Sequence, residues 1–230
     1  SAVVVDEAHE LVDRMTTALT AELSQALVDR AVTRARRFLE PEHADTMLDA
    51  GEFLGQVLRD VPEGRLRGLP DELLVALTAL RDAAHVALGR LRGDSSDSPD
   101  LAADRTRARA GIVGIYEVAG SAVALGDGWV AWVASSATRG PYISLAPLSV
   151  RDLLETNLFS STPVVLTSAT LAIGGSFEPL ARALGCPEGW RGIDVGSPFD
   201  HARQGVLYCA ADIPRPGRDG ISEAALDRLA

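Results

Sequence analysis

Two short segments carry the side chains best suited to chemistry. One is Val3-Val4-Val5-Asp6-Glu7-Ala8-His9; the other is Pro163-Val164-Val165-Leu166-Thr167-Ser168-Ala169-Thr170-Leu171. Each is an apolar, β-branched run that ends in polar residues, the pattern by which a buried parallel strand delivers side chains to a crevice at its C-terminal end. An Asp-Glu pair at such a strand end suits metal-assisted phosphoryl transfer. Asp6 is placed to hold Mg²⁺, directly or through water, against the β- and γ-phosphates of a nucleotide. Glu7 is placed to orient and deprotonate an attacking water. Ala8 must be small where the backbone turns, and His9 is expected to hydrogen-bond towards the second segment. Ser168 and Thr170 offer hydroxyls that can bond to this cluster and relay the state of the γ-phosphate. Blander readings stand beside these. Asp and Glu also favour the first turn of a helix, and Ser and Thr also cap the turn after a strand.

Ser-Ala-Thr alone is weak evidence, because Ser136-Ala137-Thr138 also follows an apolar run. That copy leads into Arg139-Gly140-Pro141 and a hairpin partner, so it is expected to face a turn rather than a crevice.

The 230 residues suit one large domain or two modest ones, and the 47% apolar content suits a real core. Net charge is −10 and the chain contains no lysine, so the phosphate-binding lysine of a Gly-rich nucleotide loop is not within it. The acidic balance argues against a polybasic nucleic-acid or membrane module, though a local basic groove stays open. Cys186 and Cys209 lack metal or disulfide-framework spacing, and the four histidines form no ligand pair. No apolar run reaches the ~20 residues needed to cross a bilayer, and no signal peptide is evident, which points to a cytoplasmic protein. The chain opens inside a strand without an initiator Met, which suggests a segment of a longer protein.

Periodicity supplies the elements that position these residues. Leu11, Met15, Leu19, Leu23, Leu27 and Ala31 recur every four residues and predict one long helix from His9 to about Leu39, ahead of Pro41. A second helix carries Phe53, Leu54, Val57, Leu58 and Val61. A third opens at Pro70 and stops at Gly93, and residues 93–99 read as a loop. A fourth runs from about Pro99 to Leu125, stopped by Gly126-Asp127-Gly128. A hairpin follows, Trp129 to Val133 with Tyr142 to Leu145. Ser149 is expected to cap a short helix holding Leu153, Leu154 and Leu158, and Ser176 another, closed by Gly185. Strands are expected near 191–195 and 206–210, and a last helix over 226–229. Two parallel strands thus flank a mainly helical insertion, the signature of a discontinuous domain.

The first segment reads as a Walker B strand of the DEAH type and the second as helicase motif III. With Pro147-Leu148-Ser149-Val150, Leu153-Leu154, Leu158-Phe159, Gly175-Ser176-Phe177, Gly196-Ser197-Pro198-Phe199-Asp200 and Gln204-Gly205-Val206-Leu207-Tyr208, the chain resembles the DinG/XPD-like branch of superfamily 2 helicases. The match is specific over residues 1–9 and 147–217. Over the helical middle it rests on position and character.

The resemblance implies an α/β fold in which parts of RecA-like parallel-sheet domains are interrupted by a mainly α-helical, Arch-like insertion with a β-hairpin. Residues 1–9 would end the first RecA-like domain, 10–146 form the Arch, 147–185 return to the first domain and 186–230 begin a second. Residues 197–230 are expected to lack most of that domain, leaving apolar faces exposed. The implied parent couples ATP hydrolysis with Mg²⁺ to 5′→3′ translocation on single-stranded DNA in repair or replication. The segment alone is expected to be inactive. The cysteines of the family's iron–sulfur cluster would lie outside this window, so the cluster stays open.

Arg34, Arg36 and Arg37, with Arg105, Arg107 and Arg109, are candidates to meet DNA phosphates, or else a solvated surface with ion pairs. Trp129 and Trp132 lie on opposite faces of one strand, where one can stack on a base or both can fill the hairpin core. Two other functions stay open: a non-catalytic Arch module that grips DNA or a protein, and a DEAH-type ATPase that remodels RNA.

Overall fold

The computed structural model describes residues 2–91, 98–126, 128–213 and 220–229. The chain divides into two compact units, residues 1–190 and 191–230. The expected loop after Gly93 falls largely on residues outside those described, as does Asp127.

The first unit opens with β1 (Val3–Val5), a short 3-10 turn and α1 (Leu11–Leu19). The single long helix expected here does not form. Thr20 turns extended, residues Ala21–Leu23 form β2, and α2 (Gln25–Ala35) starts afresh with Ser24 as its N-cap, Oγ accepting from Leu27 N at 3.3 Å. Thr16 and Thr20 each bond back to the carbonyl four residues earlier, diverting their side chains to the backbone where the helix ends. The leucine stripe therefore serves two cores. Leu11, Met15 and Leu19 pack with Val150, Leu154 and Leu184, whereas Leu23, Val28 and Ala31 enter the main core.

After a 3-10 turn at Arg36–Phe38 come α3 (Pro41–Asp60), β3 (Gly64–Leu66), α4 (Asp71–Arg90) and α5 (Pro99–Val123). Pro41 and Pro99 occupy first-turn positions, where the missing N–H costs nothing. The helices α2 to α5 bury Leu54, Leu77, Leu80, Ile112 and Ile115 against one another.

The hairpin is longer than its apolar runs suggest, with β4 (Trp129–Ser136) and β5 (Gly140–Pro147) paired from Trp129–Pro147 to Ser136–Gly140. It belongs to a four-stranded antiparallel sheet of order β2-β5-β4-β3. Ala131, Val133, Ile143 and Leu145 join the helical core from this sheet. Trp132 is half-buried and Trp129 more exposed.

The chain then returns through α6 (Arg151–Leu154), a π-turn to Phe159, and β6 (Val164–Leu166), which pairs with β1 in parallel. Ser149 Oγ accepts from Arg151 N at 3.2 Å, but Val150 is the cap position. The α7 helix (Glu178–Leu184) has Ser176 Oγ accepting from Glu178 N and ends in a left-handed Gly185.

The second unit holds α8 (His201–Gln204) and α9 (Glu223–Leu229), with Arg228 donating to Tyr208 Oη and to Asp212. The strands expected at 191–195 and 206–210 are not formed. A strand needs a ladder partner, none is paired to these segments among the described residues, and Val195, Val206 and Leu207 are exposed. The fold is thus mixed α/β, with a small parallel sheet and a four-stranded antiparallel sheet. No helix among the described residues is long and apolar enough to cross a membrane.

Candidate functional site

The parallel pairing of Val3, Val4 and Val5 with Val164, Val165 and Leu166 sets the ends of both strands side by side. The backbone ladder runs on past the strands. Thr167 N donates to Val5 O at 2.9 Å and Ala8 N to Thr167 O at 3.0 Å. These bonds fix Asp6 and Glu7 against Thr167 and Ser168, 161 positions away in sequence. Ala8 is fully buried where the chain turns, which accounts for a small residue there.

Side chains complete the joint. Thr167 Oγ1 donates to Asp6 Oδ1 at 2.7 Å, and Ser168 Oγ donates to Glu7 Oε2 at 3.1 Å. His9 Nδ1 lies 2.8 Å from Ser168 Oγ and 3.2 Å from Glu7 Oε2. A hydroxyl has one proton to give. With that proton on Glu7, Ser168 must accept from His9, so the imidazole carries hydrogen on Nδ1. Ser168 Oγ also accepts from Thr170 N at 3.3 Å and sits 3.5 Å from Thr170 Oγ1. Ser168 is therefore the node joining Glu7, His9 and Thr170.

Two features mark the acidic end as more than a helix start. Glu7 has φ 51° and ψ 41°, the one left-handed conformation outside glycine among the described residues. Such a conformation costs on the order of 1–3 kcal/mol and is held only where the surroundings over-determine it. Here the flanking ladder bonds do so. The Asp6 carboxyl is held below the usual carboxylate range, first by the Thr167 hydroxyl and then by the Glu7 backbone N–H, against a small opposing effect of burial. It stays ionised and exposed at neutral pH. Arg14 is taken up by Glu10, 2.7 Å from Nε to Oε2, and does not reach Asp6 or Glu7 through any bond among the described residues.

Of these residues, sequence reasoning missed Thr167. Its signal was its place directly after the apolar run, the position parallel to Asp6. The decoy copy lies elsewhere: Ser136 and Thr138 bond to each other at 3.1 Å in the hairpin turn.

The structure brings the two arginine clusters together, since the end of α2 packs on α5. Arg37 and Arg107 both bond to Asp104, whose carboxyl they hold low, Arg107 foremost. Arg37 and Arg105 lie over the Phe38 ring at 4.5 and 4.7 Å. Arg36 pairs with Asp45 at 3.6 Å. Arg34 and Arg107 line a groove of about 350 Å³ with Arg30, and Arg109 is exposed. Much of this basic charge is thus spent within the protein. Among the described residues no three His, Cys, Asp or Glu side chains cluster to hold a metal by themselves.

No family model matches the chain. Over 232 aligned residues it is 40% identical to the ATP-dependent helicase DinG of Mycobacterium tuberculosis (strain ATCC 25618 / H37Rv), covering 96% of this chain and 35% of that protein. The same figures hold for the ATP-dependent helicase DinG of Mycobacterium bovis (strain ATCC BAA-935 / AF2122/97). The chain spans about a third of the length of these curated relatives. It is a DinG-like segment, homologous to part of those helicases.

Proposed function

We propose that this chain is the part of a DinG-type DNA helicase that contributes the acidic half of the ATPase site, together with an Arch-like insertion. The observation that carries the reading is the convergence of Asp6, Glu7 and His9 with Thr167, Ser168 and Thr170 at the ends of two paired parallel strands. In open α/β sheets this is where nucleotides bind. The homology to ATP-dependent helicases supports ATP as that nucleotide.

The donor set fits Mg²⁺ in its usual nucleotide-bound form, which takes one or two carboxylates, several waters and the substrate phosphates. An ionised, exposed Asp6 agrees with that. Asp6 would hold the ion, with Thr167 fixing which carboxylate oxygen faces it. The ion would offset charge on the β- and γ-phosphates. Glu7, whose side chain is exposed, would take a proton from the attacking water. Ser168 and His9 would hold the Glu7 carboxylate and pass its displacement to Thr170.

Residues 10–146 are assigned mainly to the Arch, although α1 shares its core with the returning segment. Residues 147–185 belong to the first RecA-like domain and 186–230 to the start of the second. In the full-length protein the cycle would drive 5′→3′ movement on single-stranded DNA. The isolated chain has no lysine for the phosphates and is expected not to hydrolyse ATP.

The test is Glu7→Gln in a full-length protein carrying this segment. Turnover should be abolished while ATP binding survives, because only the base is lost. Retention of most of the hydrolysis rate would overturn the assignment.

A further inference from the structure

An open groove of about 880 Å³ lies between β3, the end of α5 and the start of β4. Its lining differs from the arginine clusters described above. Arg65 and Arg67 are exposed along it, neither makes an ion pair among the described residues, and no acidic side chain lines it among those residues. Leu69, Leu74 and Leu148 supply apolar wall, and Trp129, 37% exposed, stands at the same groove. The backbone around the indole is fixed. Trp129 N donates to Gly126 O at 3.1 Å, Leu148 N donates to Gly128 O at 2.9 Å, and Trp129 pairs with Pro147 across the hairpin. An aromatic held in this way binds with little ordering cost.

We propose that this groove binds single-stranded DNA, with a base stacked on Trp129 and neighbouring phosphates met by Arg65 and Arg67. The proposal rests on the helicase reading and adds a contact site to it. Three observations favour this occupant. A base face is open to an indole only when it is not stacked in a duplex, so an aromatic beside cations suits a single strand. Among the described residues the two arginines make no ion pair that binding would have to break, unlike Arg37 and Arg107 at Asp104. Local positive charge in a chain of net charge −10 marks a site for an anion rather than a general attraction. An acidic peptide with an apolar anchor would share the charge, but the alternation of planar base and phosphate matches tryptophan beside arginine more fully.

The experiment is fluorescence anisotropy of labelled oligo(dT) with the full-length protein, without nucleotide, over a salt series. This readout does not depend on whether Asp6 and Glu7 hydrolyse ATP, so the two proposals fail separately. Trp129→Ala should weaken binding about tenfold, within the range for loss of one stacked base. Trp129→Phe should restore most of it, which a purely structural role in the hairpin would not require. The double variant Arg65→Ala/Arg67→Ala should weaken binding alike across sequences. It should also lower the salt slope by about 1.4, two single-strand phosphate contacts at ~0.7 each. If Trp129→Ala fails to fold, the arginine pair and Trp129→Phe decide. Wild-type affinity and salt slope in the arginine pair would overturn the proposal, whether or not the groove then captures an acidic peptide.

Discussion

The two Ser-Ala-Thr copies form an internal control for the site. In each, the serine Oγ accepts from the backbone N–H of the threonine two residues on, at 3.4 Å for Ser136 and 3.3 Å for Ser168. In each it also lies near that threonine's hydroxyl, at 3.1 and 3.5 Å. Among the described residues only Ser168 reaches further, to Glu7 Oε2 and His9 Nδ1. Replacing each serine by alanine in the full-length protein removes the same local bonds, so their loss cancels in the comparison. The remaining difference reports the bonds to Glu7 and His9. A hydrogen bond to an ionised group contributes about 1.5–3 kcal/mol. The Glu7 and His9 side chains are 59% and 40% exposed, so water replaces part of this and about 1 kcal/mol is expected to remain. If those bonds align Glu7 for its reaction, that is about fivefold in rate. The assay is steady-state ATP turnover at saturating single-stranded DNA. Ser136→Ala should match the wild type and Ser168→Ala should be about fivefold slower. Equal rates for the two variants would refute the argument that the strand-end contact, rather than the local turn, gives the motif its role.

Other perturbations follow from the same geometry. Thr167→Val removes the main cause of the low Asp6 pKa, which should then rise towards the ordinary carboxylate value; a carboxyl carbon NMR titration reads this directly. The sign is fixed: a depressed carboxylate contributes above its unfolded-state value and loses that contribution as pH falls through the lowered one, so the variant should begin to protonate Asp6 at higher pH. Gly185→Ala should cost roughly 2–4 kcal/mol in urea unfolding, from left-handed strain and overpacking, because its backbone has φ 70° and a Cβ would lie 2.9 Å from Arg151 O. Gly89→Ala, inside α4 with nothing within 4 Å of a Cβ, should instead stabilise by about 1 kcal/mol.

Much of this arrangement is legible in the residues. Three valines before Asp6 and a matching run before Thr167 predict two strands, and their parallel pairing follows once the insertion between them is recognised; the burial expected of them is not found, since Val3, Val4 and Val165 are exposed on this two-stranded sheet. The helix opening at Pro99 and the apolar residues at helical spacing were readable for the same reason, whereas Pro41, read only as a boundary after the first helix, opens α3, and Pro70 is an N-cap rather than a first-turn residue. The break at Thr20 was hidden because Leu19, Leu23 and Leu27 keep a four-residue interval although they serve different cores. Ser24, a good N-cap, and the cluster of Thr16, Thr17 and Thr20 were the available signals. The strand at Gly64–Leu66 is too short for any period to show. Helical spacing could place Arg37 and Arg105 on surfaces, but it could not show that Asp104 and Phe38 lie between them. Apolar runs such as Val206-Leu207 look like strands, yet a strand exists only with a partner to bond.

The central claim is that one nucleotide lies across both strand ends. A crystal structure of the full-length protein with Mg²⁺ and a non-hydrolysable ATP analogue tests it most directly. The ion should be bound by Asp6, at about 2.0–2.1 Å or through one water, with the γ-phosphate beside Glu7 and within reach of the Ser168 and Thr170 loop. A nucleotide seated away from both strand ends, with Asp6 and Glu7 still bonded only to Thr167, Ser168 and His9, would contradict it.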